Sequence, residues 1–304
     1  MNTKNINLIE SYLEHICVNK NLSKNTIKSY REDLFEFSRF IKGNEIKKIQ
    51  DNQISEFINY LSVKFSPKSH SRKLSSLKNF FNYLFDIKII NFNPVSNFDF
   101  PKVPRSLPKF LSENEVKILI NKTYQDVTNK GLRLSVMLEI LYTSGIRISE
   151  LVKIKKNEIN ENLSSILIKG KGGQERVVPL FGSAVKCLKK YLNLDEIKKE
   201  NNFFLFPSSS KDGHITRHRF FQLIKKLAHE CNISKAKVSP HVIRHSFASH
   251  LLDRGVDLRI IQESLGHKDI STTQIYTHIQ ANKVRKILDE NHSLKKEIKK
   301  LIKI

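Results

Sequence analysis

The sequence predicts a mainly α-helical chain of two domains, with one small antiparallel β-sheet in its C-terminal part. Three observations lead there. Four of the eight prolines crowd between residues 94 and 108, apolar residues recur at helical spacing on both sides of that cluster, and one pair of β-rich runs flanks a glycine-rich turn. A length of 304 residues suits two domains at about 100–200 residues each, long enough for each to bury its own core.

Residues 1–95 read as a helical domain. After Ser23, the residues Tyr30, Leu34, Phe37 and Ile41 recur at i, i+4, i+7 and i+11, the stripe of an amphipathic helix. Ser66-Pro67 sets a capping serine before a proline at the first helical position. In the helix that follows, Leu74, Leu77, Phe81 and Leu84 make an apolar stripe, and Lys68, Arg72, Ser75 and Asn79 lie opposite. That polar stripe reads either as a solvated face or as a surface for phosphate and base-edge contact.

Pro94, Pro101, Pro104 and Pro108 lack a backbone donor and push their predecessors out of the α region, so residues 96–110 read as an extended basic linker. Residues 111–304 form the second domain. Ser165–Lys169 and Arg176–Leu180 are β-rich runs around Gly170-Lys171-Gly172-Gly173, a hairpin. Helical spacing returns in Phe220, Leu223, Ile224 and Leu227. From about residue 279 a tail follows, in which Leu294, Ile298, Leu301 and Ile302 form an apolar stripe on a lysine-rich helix.

Composition narrows the function. Lys and Arg number 53 against 30 Asp and Glu, a formal net charge of +23, and the first 100 residues, the next ten and the remainder are each net positive. A polyanion, most simply nucleic acid, is the expected partner. No apolar run reaches the roughly 20 residues needed to span a bilayer, so no membrane is expected. The opening MNTKNINLIESYLEHI lacks the order of a signal peptide, and Cys17, Cys187 and Cys231 form no CxxC pair. A protein of the reducing cytoplasm, without disulfide framework or zinc site, is expected.

Two arginines stand at helix starts. Arg147 follows Thr143-Ser144-Gly145, where a glycine ends one helix and the next begins; Arg244 lies just inside a helix opened by Ser239-Pro240, on one face with His241. Free N–H groups and a planar cation suit phosphate there. His241 and His245, at i and i+4, lack the glutamate and third ligand of a zinc site, so no metal is expected. Asp257 is placed to cap the helix LRIIQESL, Gly266 to end it, and Ser271-Thr272-Thr273-Gln274 to open the helix that carries Tyr276.

LYTSGIRISEL, IKGKGGQERVVPL, SPHVIRHSFASHLL and IIQESLGHKDISTTQIYTHI, in this order and spacing, closely resemble the motifs of the tyrosine recombinases, in particular the Xer type of the phage integrase family. NLSKNTIKSYREDLFEF resembles the family's N-terminal, core-binding domain, so the resemblance runs from about Asn21 to Thr277. It implies a two-domain DNA clamp whose mixed α/β C-terminal domain is catalytic. It makes Arg147 and Arg244 the pair that binds the scissile phosphate, Lys171 the hairpin lysine, His241 and His267 the active-site histidines, and Tyr276 the nucleophile. Gln174 stands where many relatives carry a further lysine, which puts one auxiliary DNA contact in doubt.

The implied reaction is site-specific recombination through a 3′-phosphotyrosyl intermediate, with no cofactor because that linkage stores the bond energy. The implied partners are double-stranded DNA with a partly palindromic site, a homo- or hetero-tetramer of recombinases on two such sites, and a septal DNA translocase as activator. Resolution of chromosome dimers is the expected role. The alternatives are an integrase or resolvase of a mobile element and, more distantly, a type IB topoisomerase.

Overall fold

The computed structural model describes residues 2–19, 22, 24–102, 110–170, 175–199 and 203–266. Among them the chain is mostly helical with one two-stranded antiparallel sheet, as the sequence predicts. It divides into two units, Met1–Leu107 and Pro108–Ile304. Lys171, His267, Tyr276 and the tail lie outside the described residues.

The first unit holds α1 (Thr3–Asn19), α2 (Lys24–Phe40), α3 (Asp51–Lys64) and α4 (Pro67–Asp86). Ser66 caps α4, its side chain accepting from the Ser69 N–H, with Pro67 at the first turn. The apolar stripes meet as predicted: Leu34, Phe37, Leu74, Leu77, Phe81 and Leu84 are all buried in one core with Tyr12, Phe57 and Phe80. Aromatic edges lock it, Phe37 against Phe57 at 4.9 Å and against Phe81 at 5.8 Å between centroids. Each fully buried side chain of this size stabilises the fold by about 1.5–3 kcal/mol.

The polar side of α4 is not simply solvated, because α2 packs against it. Asp33 on α2, 3% exposed, takes the fork of Arg72 and a hydrogen bond from Lys73 Nζ at 2.9 Å. Lys73 also donates to Glu36 at 2.6 Å. Carboxylates buried this deeply persist only when paired, and these are.

The second unit is built around α6 (Asn129–Ser144), which packs against α5 (Glu113–Tyr124), α8 (Gly182–Leu192) and α11 (Pro240–Asp253). From Ser135 to Ser144 every residue of α6 is buried, as expected of an interior helix apolar on all sides. Within this wall lies one carboxylate, Glu139, which accepts from the Tyr124 hydroxyl and from Ser183 Oγ at 2.8 Å. The short α7 (Ile148–Leu151) follows α6. Next come β1 (Ser165–Lys169) and β2 (Glu175–Pro179), in antiparallel register with Lys169 opposite Glu175 and Ile168 opposite Arg176. α9 (Asp195–Lys199), α10 (Arg217–Glu230) and α12 (Leu258–Leu265) complete the described part of the unit.

Where the chain enters this unit, Leu111 is tied to α11 by both backbone groups. Its N–H donates to Ser246 Oγ and its carbonyl accepts from His250 Nε2, each at 2.8 Å. Since Nε2 carries the proton, His250 Nδ1 accepts, and the Tyr142 hydroxyl donates to it at 2.8 Å.

Candidate active site

The site begins at the end of α6. Gly145 adopts φ +59° and returns its N–H to the Leu141 carbonyl at 3.0 Å, the left-handed cap expected of a glycine. A Cβ there would lie 2.4 Å from Phe247 Cδ1 and 2.9 Å from Leu265 Cδ2, so glycine is what lets α11 and α12 close on this turn.

Arg147, two residues on, is the N-cap of α7. Its backbone N–H donates to Glu150 Oε2 at 2.8 Å and its Nη1 to Glu150 Oε1 at 3.2 Å. Arg147 remains 41% exposed, whereas Glu150 is 6% exposed. From β2, Arg176 adds a fork to the same carboxylate, Nη1 to Oε1 at 3.1 Å and Nη2 to Oε2 at 2.8 Å. Burial alone would raise the Glu150 carboxyl, but hydrogen bonds from Arg176 and the Arg147 backbone, with both guanidinium charges, hold it below the ordinary carboxylate range.

Arg244 arrives on α11, whose start is capped by the Ser239 side chain accepting from the Val242 N–H, with Pro240 in the first turn. Its Nη1 donates to the Gly145 carbonyl and its Nη2 to the Leu265 carbonyl at 2.7 Å. Those carbonyls close α6 and α12, the negative ends of two helix dipoles, and they fix the plane of the guanidinium. Burial pushes the Arg244 guanidinium down to about 10, and the charges of Arg147 and Arg176 push it the same way against the pull of Glu150. The cluster thus sets three arginines against one carboxylate and stays cationic. It is organised to receive an anion.

His241 is exposed on the first turn of α11, three residues before Arg244. His245 is exposed as well, and no group of three His, Cys, Asp or Glu among the described residues could hold a metal. Asp257 caps α12 by accepting from the Arg259 N–H, and Gly266 ends it at φ +69°, as the sequence predicts. On α4, Lys68 is exposed and Ser75 half-buried, Arg72 is spent on Asp33, and Asn79 Nδ2 donates to the Tyr30 hydroxyl at 3.4 Å. The structure therefore brings Arg147 and Arg244 to one place, with His241 on the same helix as Arg244, and engages two of the four α4 residues inside their own unit.

Sequence reasoning passed over Glu150 and Arg176. Both left a signal. Glu150 stands three residues after the N-cap Arg147, the spacing at which a side chain reaches back to the cap. Arg176 alternates with Val178 on the core face of a strand, where a charge is out of keeping with its neighbours.

Comparison with known proteins bears on the same regions. The chain matches the phage integrase family over residues 109–283 and the phage integrase N-terminal SAM-like domain over residues 9–88. It is 40% identical over 294 residues to the tyrosine recombinase XerD of Rickettsia bellii (strain RML369-C), covering 92% of this chain and 96% of that one. To the tyrosine recombinase XerD of Rhizobium meliloti (strain 1021) it is 36% identical over 301 residues, covering 96% and 97%. Its fold resembles the XerH site-specific recombinase bound to difH substrate in a pre-cleavage complex, with TM-score 0.66, 24% identity and coverage of 91% and 82%. It also resembles a lambda integrase tetramer bound to a Holliday junction, with TM-score 0.68, 16% identity and coverage of 93% and 78%. This chain belongs to the phage integrase family: it is a tyrosine recombinase, of the class of enzymes that cut and rejoin DNA with a tyrosine nucleophile. No helix among the described residues is long and apolar enough to cross a membrane.

Proposed function

We propose that this recombinase exchanges strands between two partly palindromic DNA sites and that its role is the resolution of chromosome dimers. The observation that carries the reading is the convergence of Arg147 and Arg244 on one cationic turn, built by a glycine that admits nothing larger. The extent and identity of the match to relatives called tyrosine recombinase XerD support the chromosomal role.

In this reading the two guanidinium groups bind the non-bridging oxygens of the scissile phosphate, whose charge grows in the transition state. The Tyr276 oxygen attacks phosphorus, the P–O5′ bond breaks, and a 3′-phosphotyrosyl link forms. Lys171, which falls between β1 and β2 in the sequence, gives a proton to the departing 5′ oxygen. His241 and His267 hydrogen-bond the phosphate or move the proton from the phenol. Rejoining reverses these steps without an external energy source, so no cofactor is required. Four subunits on two sites perform the exchange, a septal translocase activates it, and the tail from about residue 279 docks on a neighbouring subunit.

The other tyrosines of the second unit have different commitments, which supports Tyr276. Tyr142 and Tyr191 are each 1% exposed, and the Tyr124 phenol is pushed up by burial and by the Glu139 carboxylate, the wrong direction for a nucleophile. Incubation with a duplex site nicked near the cleavage position should trap a covalent adduct that peptide mapping places on Tyr276 and that Tyr276→Phe abolishes. An adduct on Tyr142 or Tyr191 would overturn the assignment.

A further inference from the structure

Arg176 occupies an unusual place for a cation. The β1–β2 register sets it opposite Ile168, which is 2% exposed, and on the same face as Val178, which is 4% exposed. A charge facing a core needs compensation, and both of its Nη groups find it on Glu150. Its Nε, however, is buried without a hydrogen-bond partner, an arrangement that costs rather than contributes stability. The rest of the side chain lies against Gly266. A Cβ on that glycine would stand 3.1 Å from Arg176 Nε and 3.2 Å from both Cδ and Cζ, so the guanidinium rests where a side chain would otherwise be. One residue therefore joins three segments: the strand β2, the carboxylate that holds Arg147, and the glycine that precedes His267 in the sequence.

We infer that Arg176 is a positioning residue for strand cleavage, acting through Glu150 to keep Arg147 open to phosphate. The inference rests on Arg147 being a phosphate ligand. Glu150 has two oxygens, and the Arg176 guanidinium draws on both while the Arg147 guanidinium takes one and the Arg147 backbone N–H the other. With Arg176 gone, the carboxylate would be free to close two-toothed on Arg147, and that pair would be neutral. A phosphate would then have to displace a carboxylate from its own ligand.

The test is single-turnover adduct formation on the nicked duplex site, using the full chain. Arg176→Met should slow adduct formation at least about tenfold, since a misplacement of 1 Å can cost about 10²-fold, while half-site binding changes less than about threefold because other Lys and Arg contacts remain. Adding Glu150→Gln to Arg176→Met should restore most of the lost rate, because the amide cannot neutralise Arg147 yet still accepts its backbone N–H. A merely structural Arg176 predicts the reverse, a double variant slower than either single one. If Arg176→Met fails to fold, Arg176→Lys, which keeps the charge without the fork, goes through the same measurements with the same criteria. Wild-type speed in the single variant, or no recovery in the double variant, overturns the inference. Failure of the wild-type chain to form any adduct at Tyr276 would instead overturn the proposed function.

Discussion

The carbonyl of Gly145 accepts a hydrogen bond from the guanidinium of Arg244, ninety-nine positions further along the chain. The turn that ends one helix is thus the seat for a cation carried by another, and the space for that seat exists because residue 145 has no side chain. Gly145→Ala forces a methyl group into Phe247 and Leu265 at a left-handed backbone position. Overpacking of this kind costs about 1–3 kcal/mol. The variant should melt several degrees lower, and at a temperature where it is folded it should still cleave far more slowly than wild type. Wild-type cleavage by the folded variant would show that the turn does not position Arg244.

Removal of the cations themselves has a sharper signature. Arg147→Ala or Arg244→Ala should lower the cleavage rate by about 10²–10³, the usual effect of losing one group that stabilises transition-state charge. DNA binding should weaken far less, as the measured salt dependence of a gel-shift titration would show. Parallel losses of binding and cleavage would speak against a role in the chemical step.

On α4, two neighbouring cations should separate cleanly. Arg72→Ala takes a fork from the buried Asp33 carboxylate but leaves it Lys73. Because Arg72 is 46% exposed, the loss should be about 1–2 kcal/mol, less than a fully buried pair would cost. Lys68→Ala should leave the melting temperature unchanged and reduce the salt slope of DNA binding by about 1. The opposite pattern would mean that Arg72 is the phosphate contact.

Glu139 predicts a pH effect. Burial pushes its carboxyl up to about 7 against the hydrogen bonds from Tyr124 and Ser183. A folded-state value above the unfolded one means that the protonated form is favoured on folding. That contribution is fully present below the ordinary carboxylate range and is lost as pH rises through about 7. Glu139→Gln is neutral throughout, so its melting temperature relative to wild type should increase from pH 5 to pH 8. A difference that stays constant with pH would show that the carboxylate is not taking up a proton on folding.

The parts of this molecule that were legible in the sequence are those whose partners lie within a helical turn. Ser66-Pro67, Ser239-Pro240, Asp257, Gly145 and Gly266 mark helix ends by local hydrogen bonds, and each acts where it was expected. Arg147 and Arg244 were legible by residue type, setting and resemblance. What joins them was not, because it depends on packing: Arg176 reaches Glu150 across 26 positions, and Arg72 reaches Asp33 across 39. A periodicity tells which face is apolar but not which polar residues on the other face meet a neighbouring helix. Arg72 and Asn79 therefore read either as a solvated face or as a DNA surface, and their ties to Asp33 and Tyr30 on α2 were in neither reading.

The double tie at Leu111 has a mechanical consequence. A load applied through residue 110 falls on Leu111, which is held by two hydrogen bonds, to Ser246 and His250, and by its own burial in the core. Those bonds belong to the helix that carries His241 and Arg244, so strain entering from the N-terminal side bears directly on that helix. Stretched in an optical trap from that side, the second unit should yield at a lower force once Ser246→Ala removes one of the two bonds, and a pull on the linker is thereby a pull on the helix that carries Arg244.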